Sequence, residues 1–242
     1  MRFSQKPGFT ILGMLLGFSA LAGCKGPVGA TGPLGPAGPG TASPVYLFSQ
    51  NFDGAGYNPT TQFTVYQNAG AEVMGLTGSD FNTAPDSLSV TASTGGVGAG
   101  SGVYTFTNVV PYVSGEDYYF DTYVNLNTTA PAKTELVLNV NGSTVADLGF
   151  LAPSTVYTYN NGGQVNLSTS ISSSYFHHAV LYWNHATGLS SLTLDGNQIA
   201  ANIVGTRARP TGAPSTSVGL YFPVSTNPGD YVLLDTLNVY HY

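Results

Sequence analysis

Between Asp117 and Asn125 the chain alternates acceptors with phenols, reading Asp117, Tyr119, Asp121, Tyr123 and Asn125 at every second position. In a β-strand, residues two apart share one face, so this stretch predicts a row of carboxylates and flat rings along one side of a single strand. Rings to stack on, with acceptors beside them, are the surface chemistry that holds sugars. The same pattern also suits the solvated side of an ordinary antiparallel strand. Tyr157 and Tyr159, on a later strand, and Trp183, on a hairpin, would add further rings to that sheet. His177 and His178 are adjacent, hence on opposite faces and unable to chelate one metal, and His185 lies past the strand end. All three read as structural or surface histidines. Arg207 and Arg209 fall in a Pro/Gly-rich stretch and read as solvated loop residues, with neutralisation of a sulfated or uronic ligand as the alternative. Neither a Gly-x-Ser-x-Gly elbow nor a Cys–His pairing is present, so no catalytic residue is assigned.

These side chains need a sheet to position them, and the composition favours one. Only 7% of the residues are charged, while the chain carries 31 Gly, 15 Pro and 16 Tyr. Long solvated helices would need far more Glu and Lys; short strands joined by uncharged turns need neither. Strands are expected over 45–52, 62–67, 87–92, 103–113, 118–126, 134–140, 144–150, 155–159, 164–168, 175–184, 192–195, 218–224 and 231–242. Along 118–126, Tyr118, Phe120, Thr122, Val124 and Leu126 form the core-facing set. Asn141-Gly142 and Asp195-Gly196 are two-residue hairpin turns by type, and 175–195 reads as a central hairpin. Residues 95–102, with five glycines, read as a flexible loop; lacking the Gly-Lys-Ser/Thr ending, they are no phosphate loop.

The run Tyr175-Phe-His-His-Ala-Val, followed by Leu192-Thr-Leu-Asp195-Gly196, resembles the central hairpin of the laminin-G-like and pentraxin-like members of the concanavalin A-like lectin/glucanase superfamily. The opening strand ending Phe52-Asp53-Gly54 and the closing Leu233-Leu-Asp-Thr-Leu-Asn-Val-Tyr240 are similar to that family's first and last strands. The resemblance implies an all-β, two-sheet antiparallel jelly-roll sandwich over residues 44–242, with first and last strands side by side. It leaves function open, because one fold hosts many activities. The glucanase branch carries Glu-x-Asp-x-x-Glu, two carboxylates flanking the scissile bond. That triplet is absent, which argues against hydrolysis; a lyase using Tyr, His, Arg and Asn stays open. Calcium, held in many relatives by loop Asp and Asn, could use Asp53, Asp80 or Asp195, though no ligand series is visible. No other cofactor is implied.

The N-terminus reads as an export signal. Arg2 and Lys6 precede an apolar run over 9–22 that is too short to span a bilayer. It ends Leu21-Ala22-Gly23-Cys24, which resembles the lipobox of bacterial lipoproteins and implies cleavage before Cys24 and acylation of that residue. Membrane attachment through the lipid follows, at the outer membrane where the cell has one, because Lys25 stands where inner-membrane retention often uses Asp. Glycine then recurs at 26, 29, 32, 35 and 38, the collagen-like Gly-Pro-Xaa repeat. Five triplets are too few to hold three chains by themselves, so residues 24–43 read as a polyproline spacer on a monomer. A homotrimer follows if another element assembles it, and would suit a structural envelope or appendage role. The net charge of −6 disfavours nucleic acid, whose phosphates would be repelled. The sequence therefore points to a lipid-anchored surface protein that recognises glycan or another extracellular ligand.

Overall fold

The computed structural model describes residues 43–242 except 55, 67–69, 80, 84, 107, 128–132, 152–153, 174 and 206. The signal segment, Cys24, the Gly-Pro repeat and Asp80 lie outside the described residues. The chain folds as a two-sheet antiparallel jelly-roll sandwich, as the resemblance implied.

Sheet 1 runs in the order β13 (Asn197–Val204), β12 (Leu189–Leu194), β11 (His177–Trp183), β6 (Tyr118–Asn127), β16 (Tyr231–His241), β4 (Ser87–Val97) and β3 (Gly70–Thr77), with β1 (Val45–Gln50) also paired to β16. Sheet 2 runs β10 (Gly163–Ser170), β9 (Thr155–Asn160), β8 (Ser143–Leu151), β7 (Lys133–Val140), β15 (Ser217–Phe222), β5 (Ser101–Thr105) and β2 (Phe63–Tyr66), with the short β14 (Arg207–Ala208) beside β8. First and last strands lie side by side through the antiparallel β1–β16 pair.

Period-two alternation decides which side of each sheet is apolar. On β6, Tyr118, Phe120, Thr122, Val124 and Leu126 are all buried. On β7 and β15, Leu136, Leu138, Val218 and Leu220 face the same interior. The turns hold their expected geometry: Asn141 and Gly142 have φ of 48° and 84°, Asp195 and Gly196 of 50° and 76°. Positive φ at both central positions matches a hairpin turn to the right-handed twist of its strands.

Three expectations need correction. The strand over 103–113 ends at Thr105, because its partner β2 ends in register there: Phe63 faces Thr105, and Val109 N–H then turns back to the Phe106 carbonyl at 3.1 Å. The glycine-rich 95–102 is not a single loop, since β4 extends to Val97 and β5 begins at Ser101, joined by a turn closed from Ser101 N–H to Gly98 O at 3.2 Å. Three strands, β3, β13 and the two-residue β14, were not read from sequence. Glycine and alanine interrupt the β3 alternation, and β13 carries a bulge where Ser190 faces Ile203 while Leu192 faces Ala200.

Candidate functional site

The outward face of sheet 2 is built from one row of paired positions. Asn166, Tyr157, Gly149, Glu135, Tyr221, Gly102 and Tyr66 face one another in succession across seven strands. The glycines are the floor on which rings lie. A side chain at Gly149 would stand 2.2 Å from the Tyr157 ring, and one at Gly102 would stand 2.5 Å from Tyr104. Tyr157 thus lies across β8 and donates its hydroxyl to Glu135 Oε1 at 2.9 Å.

Glu135 is fully buried, and its second oxygen accepts from Arg207 Nη2 at 2.6 Å. The same nitrogen lies 3.6 Å from Asp147 Oδ2. Asp147 is itself buried, taking hydrogen bonds from Tyr159 N–H at 2.9 Å and Thr158 Oγ1 at 3.0 Å. Burial pushes its carboxyl up to about 6; Arg207 opposes the rise and Glu135 adds to it. The guanidinium lies 4.5 Å from the Tyr159 ring centre and 5.4 Å from that of Tyr221. Arg207 is therefore no solvated loop residue. It occupies the two-residue β14, held to Thr144 of β8, with a side chain only 18% exposed. Burial raises the Tyr157, Tyr159 and Tyr221 hydroxyls, so all three stay protonated donors at neutral pH.

Half of this face is closed by the chain itself. Ala213 packs on Tyr104 and Val137, with Tyr66 and Tyr221 against them. The other half is open: Lys133 reaches over Tyr157, 5.2 Å from its ring centre, and donates to Gln164 Oε1 at 2.7 Å beside Asn166. From residue 43 onward the sequence has three basic side chains, Lys133, Arg207 and Arg209, against 12 acidic ones. Two of the three converge here.

The residues predicted from sequence do not form one site. Tyr119, Asp121, Tyr123 and Asn125 share the outer face of sheet 1, with Asp117 just before β6, while Tyr157 and Tyr159 are on sheet 2. Trp183 pairs with Tyr118 and packs against the core from the inner side of sheet 1. The alternation contained that signal, since Trp183 is two residues from Leu181 and four from Ala179, both buried. Asn125 is buried, 3% exposed, and faces no solvent. Asp117 accepts from Tyr182 Oη at 2.6 Å, Asn184 Nδ2 at 2.8 Å and His185 N–H at 2.8 Å. Asp121 meets His178 Nε2 at 2.9 Å, and Tyr123 stacks on the same imidazole at 4.7 Å. Tyr119 belongs to a ladder, Tyr46–Tyr240–Tyr119–Tyr182, with ring centres 5.4, 5.0 and 4.7 Å apart across four adjacent strands.

His177 and His178 take opposite faces, as expected: His177 Nδ1 meets Asp195 Oδ2 at 2.7 Å. That bond and the His178 N–H at 2.9 Å occupy Asp195, while Asp53 accepts from Asn51 Nδ2 at 2.8 Å. No cluster of three or more His, Cys, Asp or Glu suited to a metal occurs among the described residues. Sequence reasoning missed Glu135 and Asp147 as site residues. Their association is long-range, with Arg207 bonded to a residue 72 positions away.

No family model matches this sequence, and no relative is found among curated proteins. Solved structures match its fold. The Cellulose induced protein Cip1 is 14% identical with a TM-score of 0.55, over 79% of this chain and 96% of that one. A carbohydrate esterase from the Shiga toxin-encoding bacteriophage phi24B is 12% identical with a TM-score of 0.53, over 82% and 99%. A sialidase is 8% identical with a TM-score of 0.54, over 80% of this chain and 18% of that one. At such identities the likeness is one of fold.

Proposed function

We propose that this chain is an exported, lipid-anchored surface protein that binds glycan across the open half of the sheet 2 face, without turning it over. Tyr159 is the stacking ring, Arg207 and Lys133 are the donors, and Gln164 and Asn166 form the polar rim. The observation that carries this reading is the guanidinium of Arg207, fixed between two rings by carboxylates sunk beneath it. Ordering a long cationic side chain costs rotamer entropy, and burying Glu135 and Asp147 costs desolvation. A fold alone gains nothing from that arrangement which an apolar trio would not supply. A rigid planar donor flanked by rings is what a sugar hydroxyl or carboxylate needs for oriented binding.

Binding is favoured over hydrolysis because the carboxylates lie below the rings. Glu135 has both oxygens occupied and no exposure, so it cannot flank a scissile bond. A glycan array with the full-length protein in detergent tests the reading. Binding that weakens at least tenfold in Tyr159→Ala and Lys133→Ala is expected. Silence toward every neutral and acidic glycan would remove it, and release of reducing ends or unsaturated uronates from a bound glycan would replace it with an enzyme. The anchor is tested separately: incorporation of a labelled fatty acid should vanish in Cys24→Ser.

A further inference from the structure

The outer face of sheet 1 holds a second site of different chemistry. The tyrosine ladder ends at Tyr182, whose cross-strand neighbour on β12 is Ser191. Beyond it, the β13 bulge sets two residues, Ala201 and Asn202, opposite that one serine. Stepping from rings to small side chains leaves a shallow depression of about 280 Å³, lined by Tyr182, Asn184, Ser191, Gln198, Ala201 and Asn202 among others. That is just under the ~300 Å³ at which small-molecule clefts begin, room for about one sugar ring.

Three features mark this as a built site. Tyr182 packs against Tyr119 on one side, with ring planes 34° apart, its ring lines the depression on the other, and its hydroxyl is pinned to Asp117. Asn184 is pinned by the same carboxylate, through Nδ2, while its Oδ1 holds the Thr187 N–H at 2.8 Å. Asn202 sits at φ 54°, a left-handed conformation that costs a residue with a Cβ energy. Its bulge is what brings both Ala201 and Asn202 to the lining. Among the described residues, the side chains of Ser191, Gln198 and Asn202 make no hydrogen bond of their own, so their donors and acceptors are unspent.

We propose that this depression binds one uncharged pyranose unit of a neutral glycan, stacked on Tyr182 and hydrogen-bonded by Gln198 and Asn202. Its lining contains no Asp, Glu, Lys or Arg, and the Asp117 carboxylate behind Tyr182 disfavours an anionic sugar. Asp117 is a positioning residue here. This site is independent of the sheet 2 reading and lies on the opposite layer of the sandwich.

The test is amide NMR of the full-length protein titrated with cellohexaose, xylohexaose, mannohexaose, laminarihexaose and an oligogalacturonate. At least one neutral hexaose should shift the side-chain amide signals of Asn184, Gln198 and Asn202 saturably, and the acidic oligomer should not. Ala201→Phe, which fills the depression, should abolish those shifts, and Asn202→Gly should weaken binding at least fivefold while folding at least as stably as the parent. Tyr159→Ala should leave them unchanged. The inference is overturned if no neutral hexaose shifts these signals, or if the shifts survive both Ala201→Phe and Asn202→Gly. It is equally overturned if Tyr159→Ala abolishes them, a result that would assign the binding to sheet 2 alone.

Discussion

The two sheets solve the same problem, a tyrosine-rich outward face, in opposite ways. On sheet 2 the rings of Tyr157 and Tyr104 lie on glycines, and charge is gathered beneath and between rings: Glu135 and Asp147 below, Arg207 between Tyr159 and Tyr221. On sheet 1 the rings pack one against the next, Tyr119 and Tyr240 within 3° of parallel and the outer pairs tilted, and the carboxylates Asp117 and Asp121 sit beside them. A ring ladder is held by contacts spread over all its members, whereas the sheet 2 face depends on one guanidinium balancing two buried acids. The first should degrade gradually and the second abruptly.

Arg207→Ala should therefore have the largest effect. It leaves Glu135 and Asp147 buried without a cation, at a cost of about 3–5 kcal/mol in denaturant unfolding. The double variant Glu135→Gln, Arg207→Met should recover much of that loss, and a cycle showing simple additivity would refute the coupling. Next comes pH. Because the folded Asp147 carboxyl is raised from 3.8 to about 6, the stability it contributes is full below about pH 4 and is lost as pH rises through 6. The loss is on the order of 3 kcal/mol, at 1.36 kcal/mol per unit. Stability of Asp147→Asn should lack that slope, and a carboxyl NMR titration should find the group near 6.

On the ladder the expected losses are smaller. Tyr119→Leu removes ring contacts with Tyr182, Tyr240 and Tyr242, and should cost about 2 kcal/mol in the same unfolding assay. The smallest effect is that of His178, whose pKa is raised by its hydrogen bond to Asp121 against the opposing pull of burial. Its stabilisation is complete below about pH 6.5 and disappears as pH rises through the folded value. Both partners are partly exposed, so His178→Gln should remove less than about 1 kcal/mol, measured at pH 5.5. A His178 effect larger than that of Arg207 would invert the contrast between the two faces.

Local pattern carried much of the fold. The β6 alternation separated its buried set from its outward set, and Asn141-Gly142 and Asp195-Gly196 marked turns, because in both cases the signal lies within a few residues. Pairing across the sandwich was not legible in that way. Tyr157 and Asp121 have similar local surroundings, yet they belong to different sheets, and nothing near either residue says so. Arg207 looked like loop because only two residues of β14 join β8, and its partner Glu135 lies on a strand that otherwise reads as apolar. The site was visible as residue types but not as an assembly, since its assembly is set by strand order.

The adjacency of β1 and β16 has a mechanical meaning. Any tension entering through the N-terminal segment arrives first at Val45, and among the described residues β1 pairs with no strand but β16. Five register pairs, from Val45 with His241 to Gln50 with Leu237, carry that load. Under sustained pull the strand would detach first, taking Tyr46 from the end of the sheet 1 ladder while leaving the sheet 2 face in place.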